Sequence, residues 1–314
     1  MQSFLRAVEL WTPDEAGTSL EFAGGIYNDD LEEFRQISEL AMFAYDHGLP
    51  GKAWAAGHPV ILTDFADSYF RRADEARLFG LTCAVAIPVF AGANIKSVIG
   101  LMCGSDAAGH VGAIELWHND AELSHEMTLV DGYYGAAKDF EFNSRHTKFL
   151  RGYGLPGRAW KADGPVLIKD IGQARQFLRA GDAAKSGLNL GLAIPYTNGG
   201  HETWVISFLS AASTPIARRF EIWRPDAADD ALTFDSGYCS SGADLDAIFS
   251  GKTIRKGEGT LGQALASISP AIGADVKAET SIAARAAAKA GLRQTVVLPV
   301  LGGDRLQAMI AWYP

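Results

Sequence analysis

The chain repeats itself at a period the length of a small domain, and this constrains its fold more than any other feature. The first copy reads Val8-Glu9-Leu10-Trp11, then Gly48-Leu49-Pro50-Gly51-Lys52-Ala53-Trp54, Gly80-Leu81 and Ala86-Ile87-Pro88-Val89. The second reads Ile114-Glu115-Leu116-Trp117, then Gly154-Leu155-Pro156-Gly157-Arg158-Ala159-Trp160, Gly187-Leu188 and Ala193-Ile194-Pro195-Tyr196. The third is more divergent: Phe220-Glu221-Ile222-Trp223, Gly259-Thr260-Leu261-Gly262-Gln263-Ala264-Leu265, Gly291-Leu292 and Val297-Leu298-Pro299-Val300. Trp11, Trp117 and Trp223 stand 106 residues apart each time. Solenoid units run to about 20–50 residues, so this longer period predicts three domains of one kind in tandem. Their expected boundaries are 1–106, 107–212 and 213–314.

Divided by three, each core is modest. The 28 basic and 37 acidic residues give a formal charge of −9. Phosphate contact needs a concentrated basic surface, so no nucleic-acid partner is expected. No apolar run approaches the roughly 18 residues of a transmembrane helix. The N-terminus, Met1 to Val8, runs straight into an expected strand and has neither signal-peptide nor Arg-rich transit character. Cys83, Cys103 and Cys239 share no metal-ligand spacing and do not recur at one place in the copies. Free thiols in strand-like segments behave as small buried hydrophobes. They fit a reducing compartment, either the cytoplasm or an organelle lumen such as a plastid stroma reached through a removed leader.

Each copy opens with an apolar, β-prone run ending in Trp-x-x-Asp, followed by a second strand near Leu20, Met127 or Leu232. So short a connection predicts an antiparallel hairpin. A polar stretch of helical spacing follows, with Leu31, Phe34, Ile37 and Met42 near one face in the first copy. After the Gly-x-x-Gly corner come Pro59 to Asp64, Pro165 to Asp170 and Pro270 to Asp275. Asp64, Asp170 and Asp275 are placed to cap helices over Ser68–Phe79, Gln173–Ser186 and Val276–Ala290. Two closing strands complete a β-β-α-β-α-β-β order, an antiparallel sheet with helices against it. Short, turn-rich connections at Gly104–Gly109 and Ser210–Pro215 predict stiff coupling between copies.

The corner Gly-Leu-Pro-Gly-(Lys/Arg)-Ala-Trp, the Pro-Val-hydrophobic-x-x-Asp run, the Gly-Leu pair and Ala-Ile-Pro-(Val/Tyr) together resemble the GAF domain family. The resemblance spans nearly the full length and is most specific in the first two copies. In the third, Leu265 replaces Trp54 and Trp160. It implies an α+β fold of three tandem GAF-like domains, each a central antiparallel sheet with helices mainly on one face. It also implies small-molecule-binding or regulatory modules. The chain departs from the family in two ways. The helices that usually flank such a unit have no room, because strand runs into strand. No kinase, cyclase, phosphodiesterase or DNA-binding segment accompanies the repeat.

Without flanking helices, one face of each sheet needs other cover. Alternation puts Val8 and Leu10 on one face and Glu9 and Trp11 on the other. Glu115 and Trp117, and Glu221 and Trp223, repeat the split. With the aliphatic face under the helices, the six Glu-x-Trp residues would meet a protein partner or a larger assembly. The competing reading packs each Trp beside a helix of its own or the adjacent copy.

The resemblance implies a ligand pocket between sheet, corner and following helix. Trp54, Asp64, Phe65, Phe70 and Phe79 would line it in the first copy, and Trp160, Asp170, Ile171 and Phe177 in the second. Core packing and helix capping are the alternative for the same residues. The third copy, with Leu265 and Ala-rich 282–290, offers a smaller site.

Catalysis finds little support. The seven histidines occupy no shared position and show no metal spacing. Gly257-Glu258-Gly259-Thr260-Leu261-Gly262 fits Gly-x-Gly-x-x-Gly but lacks a βαβ context. Some family members reduce free methionine sulfoxide with a cysteine pair; here Cys83 and Cys103 both fall on closing strands. No Cys-His pair suits a covalently attached bilin, and the family's cyclic-nucleotide signature is unmatched. No cofactor is indicated. The expectation is a non-catalytic small-molecule-sensing or regulatory module with its output in another chain. A scaffold subunit of a larger assembly is the main alternative, and a free methionine sulfoxide reductase-like enzyme the third.

Overall fold

The computed structural model describes residues 3–66, 68–104, 110–197 and 200–314. Beyond Gly104, the connection expected to Gly109 lies outside the described residues, as do Met1 and Gln2. In the first copy β1 (Leu5–Pro13) and β2 (Ser19–Tyr27) form the expected hairpin. Then come α1 (Glu32–Glu39), β3 (Met42–Ala44), α2 (Gly48–Ala56), β4 (Val60–Leu62) and α3 (Ala73–Leu78), and the hairpin β5 (Leu81–Ala91) and β6 (Asn94–Gly104) closes the array. The sheet order is β3-β2-β1-β6-β5-β4, and every neighbouring pair is antiparallel.

The same order recurs twice. The second array comprises β7 (Val111–Asp120), β8 (Glu126–Gly135), α4 (Lys138–Arg145), β9 (Lys148–Leu150), α5 (Gly154–Ala162), β10 (Val166–Lys169), α6 (Ala180–Lys185), β11 (Leu188–Thr197) and β12 (Glu202–Ala211). The third comprises β13 (Arg219–Pro225), β14 (Ala231–Cys239), α7 (Leu245–Phe249), β15 (Thr253–Arg255), α8 (Gly259–Ser267), β16 (Ala271–Gly273), α9 (Ile282–Lys289), β17 (Thr295–Gly302) and β18 (Arg305–Tyr313). A single parallel pair, Thr197 with Gly302, joins β11 to β17. Opposite each repeated Trp the second strand carries a bulge, shifting register between Leu10 and Trp11, Leu116 and Trp117, and Ile222 and Trp223.

Two local expectations need correction. An edge strand follows each first helix, so Met42 begins β3 and is exposed rather than lying on a helix face. The expected helices also start late, at Ala73, Ala180 and Ile282. The Asp64 carboxylate accepts the Ala66 N–H at 2.8 Å within a turn. Asp170 adopts a left-handed φ of 52°. Asp275 caps a 3-10 turn through Lys277, and Ser281 caps α9 through Ala284. In the first two arrays the helix begins immediately after Arg72 or Arg179, each of which turns into the core.

The Gly-x-x-Gly corner is a device of close packing. A Cβ on Gly51 would lie 2.1 Å from the Ala44 carbonyl oxygen; Gly157 meets Leu150 O at 2.2 Å and Gly262 meets Arg255 O at 2.2 Å. Gly48, Gly154 and Gly259 all take φ of 63°, where a side chain would be strained. The glycines therefore seat α2, α5 and α8 against the edge strands, which accounts for Gly259 and Gly262 without any nucleotide.

The faces of the sheets are reversed from expectation. Glu9, Trp11, Glu115, Trp117, Glu221 and Trp223 are all 0% exposed. The three indoles belong to the cores beneath the helices. They are not a partner surface. Val8, Leu10, Ile114, Leu116, Phe220 and Ile222 instead join one shared core with inner-face residues of all three arrays. The six-stranded sheet of the first array and the two halves of the twelve-stranded sheet formed by the second and third thus cover one another's aliphatic faces, doing what flanking helices would otherwise do. Contacts at the edges are cyclic: β4 meets β8, β10 meets β14, and β16 returns to β2. The arrangement is a closed three-walled prism with helices outside.

Leu298→Ala, at a fully buried position of the shared core, is expected to cost about 2–5 kcal/mol. Urea unfolding followed by tryptophan fluorescence and far-UV circular dichroism should remain one coincident transition. Two resolved transitions, one unchanged by the substitution, would show that the arrays unfold separately.

Candidate functional site

A repeated carboxylate sits under the helices of each array. In the first, Arg72 donates from Nη1 to Glu9 Oε1 at 2.6 Å and from Nη2 to Oε2 at 2.9 Å. Trp11 Nε1, Tyr27 and Ser38 also donate to this carboxylate, at 3.2, 3.0 and 2.8 Å. The guanidinium lies 4.8 to 5.8 Å from the ring centres of Phe34, Trp11, Phe70 and Phe43. An aromatic cage closed by a carboxylate is a geometry that binds cationic groups. Here the chain supplies the cation itself.

The second array repeats the arrangement. Arg179 pairs with both oxygens of Glu115 at 2.5 and 2.8 Å and also contacts Ser144. Trp117 and Tyr134 donate to the same carboxylate, and Phe140, Trp117, Phe177 and Phe149 form the cage. The third array solves the problem differently. Its arginine is Arg219, two residues before Glu221 on the same strand, with Nε 3.2 Å from Oε1. Trp223 and Tyr313 donate to Glu221 at 2.9 and 3.4 Å. All three nitrogens of the Arg219 guanidinium are buried and have no well-formed hydrogen bond.

The pocket residues expected from sequence divide into three groups. Phe70 and Phe177 face the arginine cages. Phe65 stacks on Phe70 at 4.4 Å, Phe79 meets Phe34 edge-on, and Ile171 is fully buried in the second core. Trp54 and Trp160 stand outside the cages, half-buried against Tyr45 and Arg151. Asp64 and Asp170 are exposed in turns. Sequence reasoning missed Arg72 and Arg179, although their own 107-residue spacing was a signal.

A cavity built from all three copies lies elsewhere. At the tips of hairpins β5–β6, β11–β12 and β17–β18 a space of about 380 Å³ opens between the three arrays. Its walls are Pro88-Val89, Pro195-Tyr196 and Pro299-Val300, the same motif position in each copy. Most of the remaining lining is apolar or glycine, including Phe90 and Leu301, with Asp304 at the mouth. The Tyr196 hydroxyl is buried without a hydrogen-bond partner among the described residues. Burial holds this phenol above its ordinary range, so it stays protonated. The repeated Ala-Ile-Pro-x motif was the sequence signal for this cavity.

Beside this end, Trp204 is sandwiched between His58 of the first array and His118 of the second, with ring centres 3.6 and 4.1 Å away. Asp120, His201 and Glu202 bring ligand atoms within 4.8 Å of one another at the surface. Cys83 and Cys103 face each other across β5 and β6 in the shared core, fully buried and not disulfide-bonded. A cleft between α7 and α9 carries Arg285 and Lys289.

The carboxylates predict opposite pH responses. Burial alone would raise Glu9, but the Arg72 charge and the hydrogen bonds from Arg72, Ser38 and Tyr27 together hold it below 4.5. Its contribution to stability is present above 4.5 and is lost as pH falls through the lowered value. Glu221 is pushed up to about 7 by burial, which Arg219 offsets only in part. Its contribution is complete below 4.5 and is lost as pH rises through about 7. At pH 8, Glu9→Gln is therefore expected to lower stability by about 3–5 kcal/mol by breaking a buried pair, while Glu221→Gln leaves the urea midpoint unchanged or higher. Burial also lowers His58 below 6.5, helped by the His118 charge and opposed by its Pro59 and Glu202 neighbours. Its contribution is present above 6.5 and is lost as pH falls through the lowered value. The difference emission between wild type and Trp204→Phe should accordingly change below pH 6.5 and not above it.

No family model and no curated protein matches this chain. Solved structures do. The GAF domain of nlh2 from A. aeolicus, in an inactive state, aligns at 20% identity over 32% of this chain and 58% of its own, with a TM-score of 0.26. A GAF domain/HD domain protein from Geobacter sulfurreducens aligns at 16% identity over 33% and 65%, with a TM-score of 0.28. Free methionine-R-sulfoxide reductase from Neisseria meningitidis, in complex with its substrate, aligns at 19% identity over 33% and 53%, with a TM-score of 0.25. Each alignment thus spans less than two thirds of the matched chain. Over about a third of its length, this chain is similar to solved GAF domain structures.

Proposed function

We propose that the chain is a non-catalytic small-molecule-binding or regulatory module made of three tandem GAF-like units, 1–106, 107–212 and 213–314, whose output lies in another chain. The observation that carries this reading is the cavity where the Pro-Val, Pro-Tyr and Pro-Val pairs of the three copies converge. Its volume of about 380 Å³ suits a small ligand. The space beneath the helices, where sequence reasoning looked for a ligand, is filled by Arg72 and Arg179 in the first two copies. The non-catalytic part is supported by the burial of Cys83 and Cys103 at 0% exposure in the shared core, away from the helix side.

A scaffold role is the second reading, and one observation favours it. Among the described residues the exposed large apolar side chains, from Leu40 to Leu178, all belong to the first two copies. Leu78, Leu123 and Phe142 are the most accessible after Leu40. A thermal-shift screen against a broad metabolite panel separates the readings. A ligand at about 100 times its Kd stabilises by about 2.7 kcal/mol, and such a hit, abolished by Ala93→Trp at the cavity mouth, is the expected result. No stabilisation by any compound would favour the scaffold. Thiol-dependent turnover of free methionine sulfoxide, lost in Cys83→Ser, would overturn the non-catalytic part.

A further inference from the structure

The end of β7 and the start of β12 bring three carboxylates and two histidines together. Asp120 and Glu202 are directly opposite across the two strands, and like charges so placed repel. Glu122, in the turn after β7, adds a third carboxylate. Among the described residues no lysine or arginine pairs with any of the three, and their neighbours are histidines. His201 stands between two of them, with Nε2 3.8 Å from Asp120 Oδ2 and Nδ1 3.7 Å from Glu122 Oε1. His118 Nε2, buried and without a hydrogen bond among the described residues, is 3.5 Å from Glu202 Oε1. Each separation is longer than a well-formed hydrogen bond, so the groups surround a gap instead of closing on one another.

We propose that Asp120, His201 and Glu202 form a site for a divalent transition-metal ion of the zinc kind. Ligand atoms of the three lie within 4.8 Å of one another. A tetrahedral zinc with bonds of about 2.0–2.2 Å holds its ligand atoms roughly 3.3–3.6 Å apart, so a shift of about 1 Å closes the site. The His201 and Glu202 side chains are about half exposed and free to make that shift. The backbone beneath them is fixed, because the Ala121 N–H donates to the His201 carbonyl at 3.0 Å and keeps the strand ends in register. An imidazole among the donors favours zinc, nickel or copper over calcium or magnesium, and water completes the coordination. The outer groups fit these roles. With the His201 Nδ1 proton turned to Glu122, the Nε2 lone pair faces Asp120, and a carboxylate behind a ligating histidine is the usual support for a metal. His118 faces one oxygen of Glu202 and orients that carboxylate, leaving the other for the ion. The bound ion neutralises the opposed carboxylates and ties β7 to β12 beside Trp204, whose indole stacks on His118. The site shares no residue with the hairpin-end cavity.

Calorimetric titration of the untagged full chain with zinc chloride at pH 8, in excess magnesium, tests the site. One zinc ion should bind per chain. His201→Ala should abolish this binding, and Asp120→Asn and Glu202→Gln should each weaken it. Glu122→Gln, which removes no ligand, should weaken it about tenfold through the orientation of His201. The melting temperature of the metal-free protein should be unchanged in these variants, or higher in Glu202→Gln, where a repulsion is relieved. His146→Ala, at an exposed histidine elsewhere, should bind zinc as the wild type does. Nickel chloride gives a second readout: the share of the emission that Trp204→Phe removes should be quenched by nickel in the wild type and not in His201→Ala. The absence of zinc binding, its displacement by magnesium, or its survival in His201→Ala would overturn the site.

Discussion

Everything in this fold depends on how three aliphatic sheet faces are hidden from water. Strand residues such as Val8, Ile114 and Phe220 point away from the helices, into one core that all three arrays share. A sheet buried on only one face leaves apolar surface that must find a neighbour. The chain finds that neighbour in its own two other copies. Once the faces are turned inward, the other side of each first strand must lie under the helices, and Glu9, Glu115 and Glu221 are buried with it. Buried carboxylates need compensating partners, and this explains the arginines. The shared core and the buried ion pairs are therefore two sides of one geometric decision.

The three arrays show how differently one buried carboxylate can be accommodated. Glu9 and Glu115 each receive a two-pronged arginine from just ahead of the third helix, caged by aromatic rings. In the third copy that helix is alanine-rich and begins after a Ser281 cap. Arg219 arrives from the strand instead and approaches its carboxylate edgewise through Nε. Tyr313, from the last strand, supplies a hydroxyl corresponding to those of Tyr27 and Tyr134. Divergence in sequence thus tracks a change in how charge is neutralised.

Much of this was legible in the sequence. The repeat, the hairpins and the corner could be read because they depend on local pattern: alternation, turn residues and glycines at positions where a Cβ has no room, such as Gly51 and Gly157. The assignment of faces could not be read, because alternation separates Leu10 from Trp11 without saying which side holds the helices. The late start of α3 and α6 escaped for a similar reason. Asp64 is a sound N-cap by propensity, yet its carboxylate takes the Ala66 N–H, and α3 begins only after Arg72, whose guanidinium reaches Glu9. Candidate sites followed the same division. Phe70 and Phe177 were identified from the corner and its helix, but around an arginine that no local motif announces. The hairpin-end cavity arises only when three distant Pro-x pairs meet.

The contact of β16 with β2 carries a further consequence. A linear stack of repeats can lengthen or shorten by one member and keep its interior. A ring cannot. Deleting one wall would open the other two to solvent along their whole inner surfaces, and a fourth would have no edge to join. The number of copies is therefore set by closure, and the three can drift apart in sequence only as far as their inward faces still meet.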